Sequence, residues 1–178
     1  MKIAAISGSL RAGSSNTAVL RAAARLAPAG VEVILFEGIA DLPFFNPDLD
    51  GDDVPAPVGA MRQLIGRVDG LLISSPEYAR GVAGVLKNAL DWLVGSHEFP
   101  NKPVALINTS PRATHALAAL TLTLETMSAR LAAETSVTLP LLGVAWDEHS
   151  IAADPALAEP LRLTMERFAA FIHTVQPN

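Results

Sequence analysis

The chain has 178 residues, room for one well-filled domain and short for two. Its 50% hydrophobic and 17% charged content is that of a folded protein, and a net charge of −5 without a Lys/Arg cluster argues against nucleic acid as a main partner. Zero cysteines remove disulfides, thiolate metal sites and cysteine nucleophiles together.

No apolar run approaches a membrane span, and the N-terminus lacks the basic, apolar and cleavage regions of a signal peptide. The expectation from these absences is a cytoplasmic protein with no membrane partner.

Lys2 to Ser7 is apolar at nearly every position, as in a strand covered on both faces. The next stretch, Gly8 to Thr17, carries two glycines and several hydroxyl residues around Arg11, then passes into helical spacing through Val19, Ala23 and Leu26. That layout predicts an anion cradle: a tight turn after a strand, opening onto the free N–H groups and positive end of a helix. Ser9, Ser14, Ser15, Asn16 and Thr17 add side-chain donors, and Arg11 adds a charged fork suited to phosphate. The plainer alternative is a polar turn capped by serine.

The glycine spacing from Gly8 to Gly13 matches a Walker A loop, but Ser14 and Ser15 replace its Lys and Ser/Thr, which argues against nucleotide hydrolysis. The Rossmann glycine pattern is also missing, although Glu37 after the second apolar run, Val31 to Phe36, remains able to bind a ribose. Residues Ile39 to Pro57 read as a solvated, mobile loop. Its acids Asp48, Asp50, Asp52 and Asp53 miss the calcium-loop pattern, because the glycine is misplaced and Gly59 stands where the closing glutamate belongs.

A helix over about Val58 to Arg67 leads into a third strand, Gly70 to Ser75, and a turn at Pro76-Glu77-Tyr78. Val82 to Val94 has helical spacing. Pro103 to Asn108 is a fourth strand, followed by Thr109 to Thr114 and a helix with Leu117, Leu120, Leu124, Met127 and Leu131 on one stripe. Thr135 to Leu139 is a fifth strand, and Asp154-Pro155 opens the last helix as a capping acid followed by proline.

Strands alternating with helices predict a single α/β domain over residues 1–178, a five-stranded doubly wound parallel sheet with helices on both faces. Ligands of such sheets sit beyond the carboxyl ends of the strands, where strand order reverses. The loops at residues 8–17, 75–81 and 109–115 are therefore expected to converge into a phosphate cradle beside a slot for a flat ring.

Three blocks carry a family resemblance: Gly8-Ser-Leu-Arg-Ala-Gly-Ser-Ser-Asn16, the run from Ser75-Pro-Glu-Tyr through Asp91-Trp92, and Asn108-Thr-Ser-Pro-Arg112. Together they resemble the flavodoxin-like NAD(P)H-dependent FMN reductases, a group that includes quinone, azo-dye and chromate reductases. The resemblance implies that Ser9, Arg11, Ser14, Ser15, Asn16 and Thr17 hold the FMN phosphate. It implies that Pro76, Glu77 and Tyr78 flank the isoalloxazine, largely through backbone atoms, and that Ser110 and Arg112 close the other side. Many members read Pro-Glu-Tyr-Asn-Gly, whereas this chain has Ala79 and Arg80, and their proline before the next glycine is Ala83 here.

On this reading the flavin carries the hydride and no side chain is a catalytic acid, base or nucleophile. NADPH or NADH is the co-substrate. The acceptors are small molecules: quinones, azo compounds, free flavin or oxidised metal ions. The family also implies a homodimer or homotetramer, with Asp91 and Trp92 on an interface helix and the Leu42 to Asn46 loop as a wall of the neighbouring site. The four histidines, His97, His115, His149 and His173, lack paired-ligand spacing, so no metal site is expected. Two other readings stay open: an electron carrier that binds FMN without oxidising nicotinamide, and a phosphate or nucleotide sensor with an empty ring site.

Overall fold

The computed structural model describes residues 1–141 and 143–175. Five strand positions run parallel in one sheet. β1 (Lys2–Ser7) lies between β2 (Glu32–Leu35) and β3 (Gly70–Ser74), and β3 pairs with β6 (Pro103–Asn108), which carries β7 (Arg130–Leu131) on its outer side. β8 (Val137–Thr138) also pairs with β6, farther along it. This is the predicted doubly wound, flavodoxin-like order, with the reversal between β1 and β3.

Successive strand residues face opposite layers. Ala4, Ile6, Leu71, Ile73, Val104 and Leu106 pack under α2 (Ala56–Arg67), α3 (Gly84–Val94) and α4 (Thr114–Thr126). Ile3, Ala5, Leu72, Ala105 and Ile107 pack under α1 (Ser15–Leu26) and α6 (Pro155–Val175). Strands buried on both faces explain the unbroken apolar runs. Among the described residues no helix is long and apolar enough to cross a membrane.

Four local expectations are corrected. The stripe through Met127 and Leu131 does not continue as helix: α4 ends at Thr126, and Ser128 adopts φ 64°. Ala129 N–H then bonds the Leu124 carbonyl and Ser128 N–H the Glu125 carbonyl, both at 2.9 Å, a Schellman termination with serine in the usual glycine position. Leu131 is thereby freed to enter β7.

The fifth strand position is split, because a 3₁₀ turn at Ala133–Thr135 interrupts β7 and β8. Val82 belongs to an antiparallel hairpin of β4 (Glu77–Tyr78) with β5 (Gly81–Val82), so α3 starts later, at Gly84. A short helix, α5 (Glu148–Ala153), was not anticipated; Asp147 caps it and exchanges hydrogen bonds with Ser150.

The segment from Ile39 to Pro57, read as a solvated, mobile loop, leaves Asp48, Asp52 and Asp53 exposed as expected but is tied down at several points. Two 3₁₀ turns shape it, Gly38–Asp41 and Pro47–Leu49. Asp50 pairs with the half-buried Arg62 at 2.7 Å, and Pro43 O accepts from Trp92 Nε1 at 2.8 Å and Asn88 Nδ2 at 2.9 Å. Trp92 is fully buried within the chain and meets Phe45 edge to face at 5.1 Å, while Phe44 next to it is 90% exposed.

Candidate functional site

The loops after β1, β3 and β6 meet at the carboxyl edge of the sheet. β1 and β3 end on one rung, Ser7 opposite Ser74, and Gly8 N–H bonds Ser74 O at 2.8 Å just beyond it. The first two loops cross so tightly here that a Cβ on Gly8 would stand 2.4 Å from Ser75 Oγ, which is why glycine is required.

Ser14 caps α1, its Oγ accepting from Thr17 N–H at 3.3 Å. Ser9 Oγ accepts from Arg11 N–H at 3.4 Å, and Ser7 Oγ from Ser9 N–H at 3.3 Å. Hydroxyls thus hold the turn into α1 in shape. Arg11 itself is exposed and has no ion-pair partner among the described residues.

Asn16 is the brace beneath the site. Its buried Oδ1 accepts from Ser74 Oγ at 2.8 Å and from Thr109 Oγ1 at 3.2 Å, so one side chain ties α1 to the ends of β3 and β6. The third loop is shaped by Asn108, whose Nδ2 donates to Ser110 O at 2.8 Å while its Oδ1 accepts from Ser110 N–H at 3.2 Å. Ser110 Oγ in turn accepts from Arg112 N–H at 3.2 Å.

Between these loops lies a cleft of about 440 Å³. Of the residues expected at the site, Ser9, Arg11, Ser14, Ser15, Asn16, Pro76, Glu77, Tyr78, Ser110 and Arg112 line it. Thr17 does not; its hydroxyl turns to Ser7 Oγ at 2.8 Å, and it faces a neighbouring hollow instead. Ser75, Asn108, Thr109, Ala113 and Leu141 also line the cleft without having been assigned roles from the sequence. Ser75 and Asn108 sit inside the quoted motifs, so position at a strand end was the usable signal. Leu141 arrives from beyond β8, its N–H on Thr109 O at 3.2 Å, and no local pattern marks it.

The cleft is electropositive. Arg11 and Arg112 are exposed at it, and its lining acid, Glu77, is turned aside to accept from Ala116 N–H at 2.8 Å. His115, which follows the third loop, is exposed on the first turn of α4 and is not a lining residue. A mononucleotide with a planar ring fits this arrangement: hydroxyl, amide and guanidinium donors stand at one end, and two loops at the other.

Comparison with known proteins agrees with the geometry. Residues 1–141 match the profile of the NADPH-dependent FMN reductase family. The chain is 41% identical over 112 residues to an NAD(P)H-dependent FMN reductase of Pseudomonas aeruginosa, covering 62% of this chain and 60% of that protein. It is 40% identical over 115 residues to a quinone reductase of Escherichia coli K12, again covering 62% and 60%. The match therefore spans about three-fifths of the length of these curated relatives. FerB, a flavoenzyme NAD(P)H:(acceptor) oxidoreductase from Paracoccus denitrificans, superposes with a TM-score of 0.79 at 30% identity, covering 97% of each chain.

Proposed function

Because this chain belongs to the NADPH-dependent FMN reductase family, we propose that it is an FMN-dependent NAD(P)H oxidoreductase acting on small acceptors, quinones foremost. The observation that carries this is the meeting of three loops on one electropositive cleft of about 440 Å³. FMN bound there would supply the hydride-accepting centre, taking reducing equivalents from NAD(P)H and releasing them to the acceptor in a second half-reaction.

The residues divide the work. Ser9, Ser14, Ser15 and Asn16 offer hydrogen-bond donors to the phosphate, and Arg11 neutralises it. Thr17 acts one layer below, holding Ser7 and the turn. Pro76, Glu77 and Tyr78 form one wall of the ring slot, and Ser110 and Arg112 form the other, where the exposed Arg112 guanidinium would meet developing negative charge. No side chain is required to move a proton at the reacting centre.

A second copy of the chain covering Phe44 is part of this proposal, since an aromatic ring 90% exposed beside an anchored loop is an interface-type feature. The test of function is spectroscopic. Purified protein should carry or take up flavin, bleach with NADH or NADPH under anaerobic conditions, and recover its absorbance on addition of a benzoquinone. Absence of flavin binding overturns the proposal, and flavin that no nicotinamide bleaches would make the chain an electron carrier.

A further inference from the structure

The loop that forms the phosphate end of the cleft has a second hollow on its other side. Ser9 and Arg11 line both. This hollow, about 280 Å³, lies between the first loop and the end of β2 and is lined by Leu10, Arg21, Phe36 and Glu37 as well.

Its chemistry is specific. Glu37 follows the second strand, the position from which an acid accepts hydrogen bonds from a ribose in dinucleotide-binding sheets, although the glycine pattern of those sheets is missing here. Arg21 on α1 stands 3.6 Å from Glu37, and both side chains remain open to solvent, 48% and 77% exposed. Phe36 and the 57% exposed Leu10 provide apolar surface. Gly38 lets the Phe36 ring lie against the main chain, since a Cβ there would stand 3.2 Å from the ring atoms. Two guanidinium groups against one carboxylate make the hollow cationic on a chain whose net charge is −5. An anionic guest bearing a diol and a flat base satisfies all of these groups.

We propose that this hollow is an adenylate subsite, taking an adenosine 5′-phosphate group with its diol on Glu37, its base against Phe36 and Leu10, and its phosphate toward the Arg11 guanidinium, which it would share with the flavin phosphate on the other side of the loop. In naming the source of that group, and only there, the proposal rests on the flavin reading above. Ser9 and Arg11 border both hollows, so the adenylate half of a nicotinamide dinucleotide and that of FAD are the two candidate sources.

The test is calorimetric titration of AMP into the full chain, FMN-loaded and flavin-free, with adenosine and inorganic phosphate as separate probes. AMP should bind more tightly than either probe. Glu37→Ala should weaken AMP about tenfold, as loss of charge-assisted hydrogen bonds predicts, with FMN affinity unchanged by flavin fluorescence. Glu37→Gln, which keeps an acceptor, should retain part of the binding. The Arg21–Glu37 pair is exposed, so these variants should melt with the wild type.

If the source is a nicotinamide dinucleotide, Glu37→Ala raises KM for NADH and leaves that for reduced nicotinamide mononucleotide unchanged. If it is FAD, the variant weakens FAD and spares FMN. AMP that does not bind the wild type, or binds Glu37→Ala equally, overturns the subsite, as does a variant that shifts neither NADH nor FAD. Failure of FMN to bind while AMP still does would overturn the flavin reading and leave the subsite standing.

Discussion

Glu77, in the loop after β3, accepts a hydrogen bond at 2.8 Å from the main-chain N–H of Ala116, in the first turn of α4. Residue 113, at the N-cap of α4, is alanine and offers no side-chain cap. A carboxylate from another loop therefore satisfies one of the helix's free donors and meets its positive end. The loop after β3 is thereby tied to the helix that follows β6, on opposite sides of the cleft.

Glu77→Ala should accordingly cost about 1 kcal/mol, the usual value of a lost helix cap. It should also loosen flavin binding by releasing the hairpin from α4. Glu77→Gln keeps the acceptor and loses only the charge at the helix end, so it should fall between the two. Urea melts of the three proteins check the order, and equal midpoints would mean that the bond contributes nothing.

Arg11→Ala should leave stability unchanged, because the guanidinium is exposed and makes no ion pair among the described residues. FMN affinity should fall by about 2 kcal/mol, as expected for a charge-assisted contact to phosphate. Riboflavin, which lacks the phosphate, should bind both proteins alike. Fluorescence titration with the two flavins separates a phosphate contact from a general loss of the site.

Asn16→Ala removes an acceptor shared by two buried hydroxyls, Ser74 Oγ and Thr109 Oγ1. Leaving those donors unpaired should destabilise the chain by about 1–3 kcal/mol. The triple variant with Ser74→Ala and Thr109→Val should recover part of that loss, since no orphaned hydroxyl then remains. Thermal denaturation of the single and triple variants decides whether Asn16 is a brace or only a site donor.

What was legible in the sequence follows from where single residues carry the decision. β1 and β3 announce themselves because burial on both faces demands unbroken apolar runs, and Asp154-Pro155 marks the start of α6 because capping chemistry is local. The end of α4 does not, because Ser128 takes a left-handed conformation normally signalled by glycine. The hairpin is hidden for the same reason: Ala79 and Arg80, at φ 50° and 60°, occupy a tip that favours Asn-Gly. Within the cleft, the strand-end loops were readable from topology. Leu141 was not, since tertiary packing alone brings it there.

That hairpin tip makes a further prediction. A non-glycine residue in the left-handed region costs about 1–2 kcal/mol, less for asparagine, which finds local hydrogen bonds. Ala79→Asn with Arg80→Gly should therefore stabilise the chain by about 1 kcal/mol, the flexible glycine returning part of the gain to the unfolded state. Chemical denaturation measures it. No gain would mean that neighbouring contacts, not turn sterics, determine the hairpin.

Lys102 lies 9% exposed at the start of β6, its Nζ donating to Val68 O at 2.8 Å. Burial pushes its pKa below the ordinary lysine value, and the charges of Asp69 and Glu98 only partly oppose that. A lowered folded-state value means that the unfolded chain holds more protons than the folded one between the two pKa values. Stability should therefore rise with pH across that window, below about pH 10.4, through this group. Lys102→Met lacks the titration but strands the Val68 carbonyl. The stability difference, wild type minus variant, should move toward the wild type as pH is raised from neutral into the alkaline range. Paired urea melts at stepped pH values read that slope directly, and a difference that stays flat would place the ammonium in contact with water rather than in the interior.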